Sequence, residues 1–406
     1  MPLLGRSLHA MCFAHLIETN GPGGAERMLA TMATELQAAG SRNVVIAPAE
    51  GERWLQSELA GSGVIVEPFQ LDRAFSPAAA RSLETVLRRH RVTVAHSHEF
   101  AMAVYGAWAA RRARIPHLFT MHGGRYYAER LRRRIALRIA AEWSGSVVAV
   151  SEGLARHLSR DLWMRRSRII AIPNGVPQMP AAPSSLRSEL GISERATLVV
   201  AVGNLYPVKG HAFLLEALGQ LHGTFPELHV AIAGRGALEG ELRARAAALG
   251  VTDRFHLLGL RGDVPNVLAA VDVFALPSLS EGVPLALLEA MLAGRAIVAS
   301  AVGEVPTVLQ GDAGILVQPG DAAALADALR ALLTDPRRAR ALSAAALKRA
   351  TAEYTVDRMM ERYLERYAML TEGLTGAGLA DPAGEAAQVA GGEAAVGRKG
   401  TYARRE

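Results

Sequence analysis

Cysteine is almost missing from this chain: Cys12 is the only one in 406 residues. A lone cysteine excludes an internal disulfide and a cysteine-based metal cluster, and it fits a reducing cytoplasm. Lysine is nearly as scarce, with Lys209, Lys348 and Lys399 standing alone among 45 basic residues. No stretch approaches the roughly 18 apolar residues that a membrane-spanning helix needs. The apolar start at 10–17 follows Arg6 in the manner of a signal peptide. It carries His15 and lacks a small-residue cleavage site, so a first β-strand is expected there. Neither HExxH nor D-x-D occurs, so no metal ligand set and no metal cofactor are expected. Aromatic residues make up 5% and do not interleave with basic ones, which argues against a nucleic-acid partner.

What is present points to a large globular protein. Half of the residues are hydrophobic, and the length favours two domains. The net charge of +6 is unevenly spread: residues 1–180 are strongly basic and residues 181–380 are slightly acidic. A basic first half suggests an anionic partner on that side.

Strands and helices alternate from the start. Apolar runs such as VVIAP, VTVAHSH, HLFTMH and SVVAVS are separated by helical patterns at 25–39, 77–90, 99–113, 125–143 and 152–160. Alternation of this kind predicts a parallel, doubly wound sheet. A Pro/Ala/Ser-rich break then reads as a linker, and the pattern restarts with TLVVAVG, LHVAIAG, RFHLLG, VDVFALP, GRAIVAS and GILVQPG. The expected fold is therefore α/β, with two Rossmann-like domains facing across a cleft. Their expected bounds are 1–176 and 185–353, joined by a single linker at 177–184. A last helix at 354–371 is expected to pack back on the first domain, before a disordered Gly/Ala-rich tail at 372–406.

The segment 277–294, PSLSEGVPLALLEAMLAG, carries the strongest chemical signal. It is a turn-rich loop feeding an apolar helix that is expected to start at Pro284. Glu289 is the one ionisable residue on that helix, and a carboxylate there is either desolvated at a cost or partnered. Glu281 sits on the loop eight residues earlier. Both lie at the carboxyl end of a strand, where open α/β sheets bind ligands. Two such carboxylates can grip the hydroxyls of a polyol, or they can be a solvated Glu281 and a backbone-bonded Glu289.

Other strand-end loops face the same cleft. Gly23 and Gly24 precede a helix, where backbone N–H groups can meet an anion. Asn204 and Lys209 occupy the equivalent loop of the second domain, and Lys209 suits a phosphate as a point charge. Arg235 lies between two glycines in a third loop. His96 and His98 share one face of a strand, and His122 precedes Gly123 and Gly124 at the end of the next, placed to touch a substrate hydroxyl.

Taken in order, NGPGGAERML, TMHGG, VVAVSEG, IPNGV, VGNLYPVKG, IAGRG, LLGLRGDV, VFALPS, EGVPLALLEAMLAG and GILVQPGD resemble the retaining glycosyltransferases of family four, which have the GT-B fold. The resemblance spans roughly residues 10–370 and implies the following. The donor is a nucleotide-sugar, held mainly by the second domain. Glu289 binds ribose hydroxyls, Glu281 holds the transferred sugar with Gly282 and Leu285 beside it, and Lys209 neutralises the diphosphate with help from Gly23 and Gly24. His122 sits near the sugar. A sugar or lipid-linked acceptor lies on the first domain, near His98 and Arg125. Transfer retains the anomeric configuration, needs no metal or other cofactor, and serves polysaccharide, lipopolysaccharide or glycolipid assembly. One departure stands out: the family's usual arginine after the glycine of VG is here Asn204, so either Arg235 or another arginine compensates, or stabilisation of the leaving group is weaker. Val283 replaces a common aromatic. Asn204 keeps alive a non-catalytic nucleotide-sugar-binding protein, and a sugar-nucleotide epimerase on the same fold is the rival enzyme. The segment 125–143, RYYAERLRRRIALRIAAEW, reads as one basic amphipathic helix with Tyr and Trp at its ends. It suggests an anionic membrane surface as a further partner, hence a cytoplasmic protein peripheral to the inner face of the plasma membrane.

Overall fold

A computed structural model describes residues 8–70, 76–123, 126–178 and 183–372. Arg125, the middle of the expected linker and nearly all of the expected tail lie outside the described residues.

The first sheet is built from β1 (Cys12–Leu16), β2 (Arg42–Pro48), β3 (Ile65–Phe69), β4 (Val94–His98), β5 (His117–Met121), β6 (Ser146–Ala149) and β7 (Ile169–Ala171). Its order is β3-β2-β1-β4-β5-β6-β7, and every pairing is parallel. The second contains β8 (Thr197–Val202), β9 (Leu228–Ala233), β10 (Phe255–Gly259), β11 (Val273–Leu276), β12 (Ala296–Ser300) and β13 (Ile315–Val317). Its order is β10-β9-β8-β11-β12-β13, again parallel throughout. The fold is thus the expected pair of doubly wound sheets. Central strands such as β1, β4, β11 and β12 are buried along their whole length. Helices cover both faces of such sheets, which is why these strands read as unbroken apolar runs.

Strand order reverses between β1 and β4 in one sheet and between β8 and β11 in the other. Ligands of open α/β sheets bind outside the strand ends at such switch points. The loops leaving β1, β4, β8 and β11 carry Gly23, Glu99, Asn204 and Glu281, so the topology brings the loops singled out above together.

The chain passes between the domains twice, first through the linker and again just before the last helix. Val176 pairs with Thr355, with Val176 N–H donating to the Tyr354 carbonyl at 2.9 Å and Val356 N–H to the Val176 carbonyl at 3.2 Å. Helix Val356–Thr371 then returns to the first domain. Its Val356, Met359, Met360, Tyr363 and Tyr367 join Leu8, Phe13, Met28 and Met32 in one buried cluster. Gly175 permits the crossing, because a Cβ there would lie 2.4 Å from the Thr355 carbonyl oxygen.

Three elements differ from those expected. Pro284 is the residue before the first helical turn, and helix Leu285–Leu292 begins one residue later. A short helix, Trp54–Glu58, is fixed from afar: Asn20 Oδ1 accepts the Leu55 N–H at 2.9 Å, and Asn20 Nδ2 donates to Pro48 O and Gln56 Oε1. The single helix expected over 125–143 is instead a 3-10 turn, Tyr126–Glu129, and a helix, Leu131–Trp143, separated by extended Arg130. Tyr127 is buried, and the Tyr126 hydroxyl donates to Glu18 Oε1 at 2.6 Å. Both tyrosines therefore turn inward, and of the aromatic residues at the two ends of the segment only Trp143 is exposed.

Candidate active site

Helix Gly24–Ala38 opens without a side-chain cap: Gly23 stands before it in extended conformation. Its first N–H groups have no intrahelical acceptors, and no Cβ shields them at Gly23 and Gly24. Across the cleft, Leu285 Cδ1 lies 3.9 Å from where a Gly24 Cβ would sit. Likewise, a Cβ at Gly282 would lie 3.5 Å from the His122 carbonyl oxygen. The two domains thus close on each other through glycines.

Between them lies a cavity of about 310 Å³. Gly23, Gly24 and His122 line it from the first domain. Asn204, Lys209, Glu281, Leu285 and Glu289 line it from the second. Gly282 adjoins it through the His122 contact. Eight of the singled-out residues are therefore brought to one chamber. Three are not. Arg235 Nη2 donates to Glu52 at 3.0 Å on the exposed rim, with more than half of each side chain in solvent. His98 is wholly buried, beneath His122 and not on an acceptor surface. Arg125 lies outside the described residues.

Lys209 and Glu281 face each other. Lys209 Nζ donates to Glu281 Oε1 at 2.7 Å, and Ser278 Oγ donates to the same oxygen at 2.6 Å. The Glu281 side chain is only 8% exposed, so its charge is offset by a cation and a hydroxyl held 2.6–2.7 Å away. Gly303 fixes this loop: at φ +52°, a Cβ there would meet the Glu281 carbonyl oxygen at 1.9 Å. Glu289 is partly buried and lines the same cavity. Burial raises its pKa, and the nearby Arg27 guanidinium opposes the rise.

His122 belongs to a stack of buried histidines. His98 Nδ1 and His122 Nε2 are 2.9 Å apart, and the His96 and His98 rings stack at 4.2 Å. Burial lowers the His122 pKa to about 4, so the ring is neutral at pH 7. The two neutral rings share one proton. The outer nitrogens, His98 Nε2 and His122 Nδ1, are both buried without a hydrogen-bond partner, so whichever ring donates leaves its neighbour with an unpartnered N–H. Behind the pair, His96 Nδ1 bonds the Tyr367 hydroxyl at 2.7 Å and Nε2 bonds Thr120 Oγ1 at 2.8 Å. His15, His96 and His98 have ring nitrogens within 4.8 Å of one another. Because both His96 nitrogens are engaged, this trio is not a free three-nitrogen ligand set for a cation.

Sequence reasoning missed several polar groups here. Arg27, Arg261 and Asn174 line the cavity, although the quoted motifs contain all three. Glu99 lies beneath His122, whose N–H it accepts at 3.1 Å. Burial, then the charges of Glu18 and Glu26, push its carboxyl up to about 8. Its φ of +66° is a left-handed value that a non-glycine residue adopts at a cost.

A family model described as Glycosyltransferase Family 4 matches residues 22–178, and one described as Glycosyl transferases group 1 matches residues 196–335. A phosphatidyl-myo-inositol mannosyltransferase of Mycobacterium leprae is 31% identical over 326 residues, covering 77% of this chain and 84% of that protein. The chain belongs to the family-four glycosyltransferases. It is accordingly a nucleotide-sugar-dependent transferase of glycan or glycolipid synthesis. Membership sets aside the epimerase and the non-catalytic binding protein. A UDP-Gal:alpha-D-GlcNAc-diphosphoundecaprenol alpha-1,3-galactosyltransferase of Escherichia coli is 29% identical over 236 residues, which is 54% of this glycosyltransferase and 60% of that one. Among solved structures, Anabaena HepE in complex with UDP aligns over 88% of this chain and 100% of its own, with a TM-score of 0.77 and 23% identity, and so shares the fold.

Proposed function

We propose that this glycosyltransferase moves a hexosyl group from a nucleoside-diphosphate sugar to a hydroxyl of a lipid-linked acceptor, with retention of configuration, at an anionic membrane surface. The observation that carries the chemistry is the convergence of Lys209, Glu281, Glu289, His122 and the Gly23–Gly24 helix start on one chamber between the domains. Glu289 holds the ribose, Glu281 the transferred sugar, and Lys209 with the first-turn N–H groups the diphosphate. As the glycosidic bond lengthens, charge grows on the leaving phosphate oxygens, where the Lys209 ammonium and the helix N-terminus stabilise it. The acceptor hydroxyl attacks from the same face and gives its proton to that phosphate. No protein nucleophile is required, in contrast to two-carboxylate glycosidases. His122, a neutral ring lining the chamber, stands beside the sugar.

Two observations favour a lipid-linked acceptor. The names of the two relatives reported above specify lipid-borne acceptors, a diphosphoundecaprenol and a phosphatidyl-inositol. Helix Leu131–Trp143 also exposes Leu131, Ile135, Ile139 and Trp143, each 40% or more in solvent. At four-residue spacing these form one stripe. Arg130 and Arg132 are exposed beside it, and Trp163 adds a further exposed ring with Arg134 over it at 4.2 Å. An apolar stripe flanked by arginines is the composition of a helix lying in an anionic interface. This stripe supports a reading in which the protein is peripheral to the inner face of the plasma membrane.

The experiment is a panel of UDP-, GDP- and ADP-sugars, with and without membrane lipid extract, following release of nucleoside diphosphate in EDTA. Release from one donor that rises with lipid is expected, and Lys209→Ala and Glu281→Ala should each lose it. Near-normal transfer by both variants would sink the chemical assignment. Flotation with phosphatidylglycerol vesicles, lost in Ile135→Glu/Ile139→Glu, is expected for the surface. Equal binding to neutral and anionic vesicles would remove that part alone.

A further inference from the structure

The donor's diphosphate carries two negative charges or more, and Asn204 stands where a second cation is expected. Three cationic side chains line the cavity among the described residues: Arg27, Lys209 and Arg261. Arg261 is already matched, with Nε and Nη2 on the two Asp263 oxygens at 2.7 Å and Nη1 on Glu189 at 2.8 Å. Arg235 is held at the exposed rim by Glu52. Arg27 differs from both. It lies in the first turn of helix Gly24–Ala38, its N–H bonded to the Gly23 carbonyl at 3.1 Å. Its side chain is partly buried, and its guanidinium has no hydrogen-bonded or ion-paired partner among the described residues. Its charge is felt by Glu289, across the cleft. A guanidinium left without a fork partner in a half-closed cavity is a ready site for a phosphate, which it binds through two parallel N–H donors.

We infer that Arg27 is the second cation for the donor diphosphate, supplied by the first domain in place of the charge that Asn204 lacks. This rests on the proposed nucleoside-diphosphate-sugar donor. Lys209 reaches the phosphates from one domain and Arg27 from the other, so the diphosphate ties the domains together. Gly23 and Gly24, one turn before Arg27, bring N–H groups to the same anion.

The test compares UDP, GDP and ADP with their nucleosides, by calorimetry for the diphosphates and ligand-observed NMR for the nucleosides. The full chain is used as wild type, Arg27→Met, Arg27→Lys and Arg27→Met/Asn204→Arg. Loss of one charge-assisted contact weakens binding by about 10- to 100-fold. That loss is expected in Arg27→Met for the diphosphate only, with nucleoside affinity within about twofold. Arg27→Lys should retain part of the affinity, and adding Asn204→Arg should restore most of it. Equal weakening of nucleoside and diphosphate would show that Arg27 serves Glu289 or the fold, and would overturn the inference. So would unchanged diphosphate affinity in Arg27→Met, or a double variant no tighter than Arg27→Met. If the wild type bound none of the three diphosphates, the donor reading would fall and this inference with it. A wild type that binds beside an unaltered Arg27→Met removes the inference alone.

Discussion

Acidification from pH 7.5 to 5.5 should destabilise this protein by an amount that Glu99 sets. His15, His117 and His211 are 0%, 3% and 2% exposed. Burial lowers their pKa values from 6.5 to about 4, 3 and 4. A depressed folded pKa means that the unfolded chain binds more protons below 6.5. The stability is present above 6.5 and is lost as pH falls towards the folded value. Between pH 7.5 and 5.5 each histidine contributes a loss of about 1.3 kcal/mol, or about 4 kcal/mol for the three. His96, His98 and His122 push in the same direction. Glu99 has the opposite sign. Its folded pKa of about 8 lies above the ordinary 4.5, so its contribution is full below 4.5 and is lost as pH rises through 8. Over the same interval it returns about 2.5 kcal/mol on acidification. Urea unfolding at the two pH values measures the difference. The wild type should lose at least about 1.5 kcal/mol, and Glu99→Gln, which cannot titrate, should lose about 2.5 kcal/mol more. A wild type equally stable at both values, or a Glu99→Gln variant with the wild-type slope, would refute the assignment of buried neutral histidines opposed by a protonated Glu99.

Two further perturbations probe the chamber. Gly303→Ala should displace the Glu281 loop, because the new Cβ would overlap the Glu281 carbonyl oxygen. A shift near 1 Å at a reacting group costs about a hundredfold in rate, so steady-state transfer should fall by that order while far-UV circular dichroism stays unchanged. Lys209→Met should cost about 2 kcal/mol in urea unfolding, since it leaves the Glu281 carboxylate buried without its cation. The double variant Lys209→Met/Glu281→Gln should recover at least half of that, because no unpaired charge remains. A double variant less stable than Lys209→Met would count against a simple ion pair.

The sheets were legible because every central strand is buried on both faces and so reads as a plain apolar run between turn signals. What stayed hidden depends on partners distant in sequence. Trp54–Glu58 is too short to show a period, and its first turn is held by Asn20, a residue that looks like part of an anion loop. The break at Arg130 follows from Tyr126 being drawn to Glu18, 108 residues away. Arg235 reads as a cleft residue because it follows a strand, yet Gly236 at φ +159° packs on the Leu205 backbone while the Arg235 side chain runs out to Glu52. Arg27 has the reverse history. It reads as one more polar residue on an amphipathic helix, and only the approach of the second domain to the start of that helix puts it in the chamber. His96 and His98 were correctly placed on one face of β4. That this face meets Tyr363 and Tyr367 depends on where the returning last helix seats on the first domain, which no local pattern encodes.

The pairing of Lys209 with Glu281 bears on how the donor is admitted. Two unit charges about 4 Å apart near a protein surface interact by about 4 kcal/mol. Withdrawing Lys209 from Glu281 without replacement would forfeit much of that, so the free protein keeps the pair closed. Under the proposed reaction a diphosphate brings its own negative charge to Lys209, and the sugar brings hydroxyl donors to Glu281. The ion pair is then exchanged for two sets of contacts of similar strength, with Ser278 still donating to the carboxylate. Such an exchange adds little net affinity. It does make the two halves of the donor interdependent. A nucleoside diphosphate without its sugar takes Lys209 and leaves Glu281 8% exposed with only Ser278. A free sugar meets a carboxylate still occupied by Lys209. Only the intact donor satisfies both groups at once, so the closed pair favours the substrate over either of its parts.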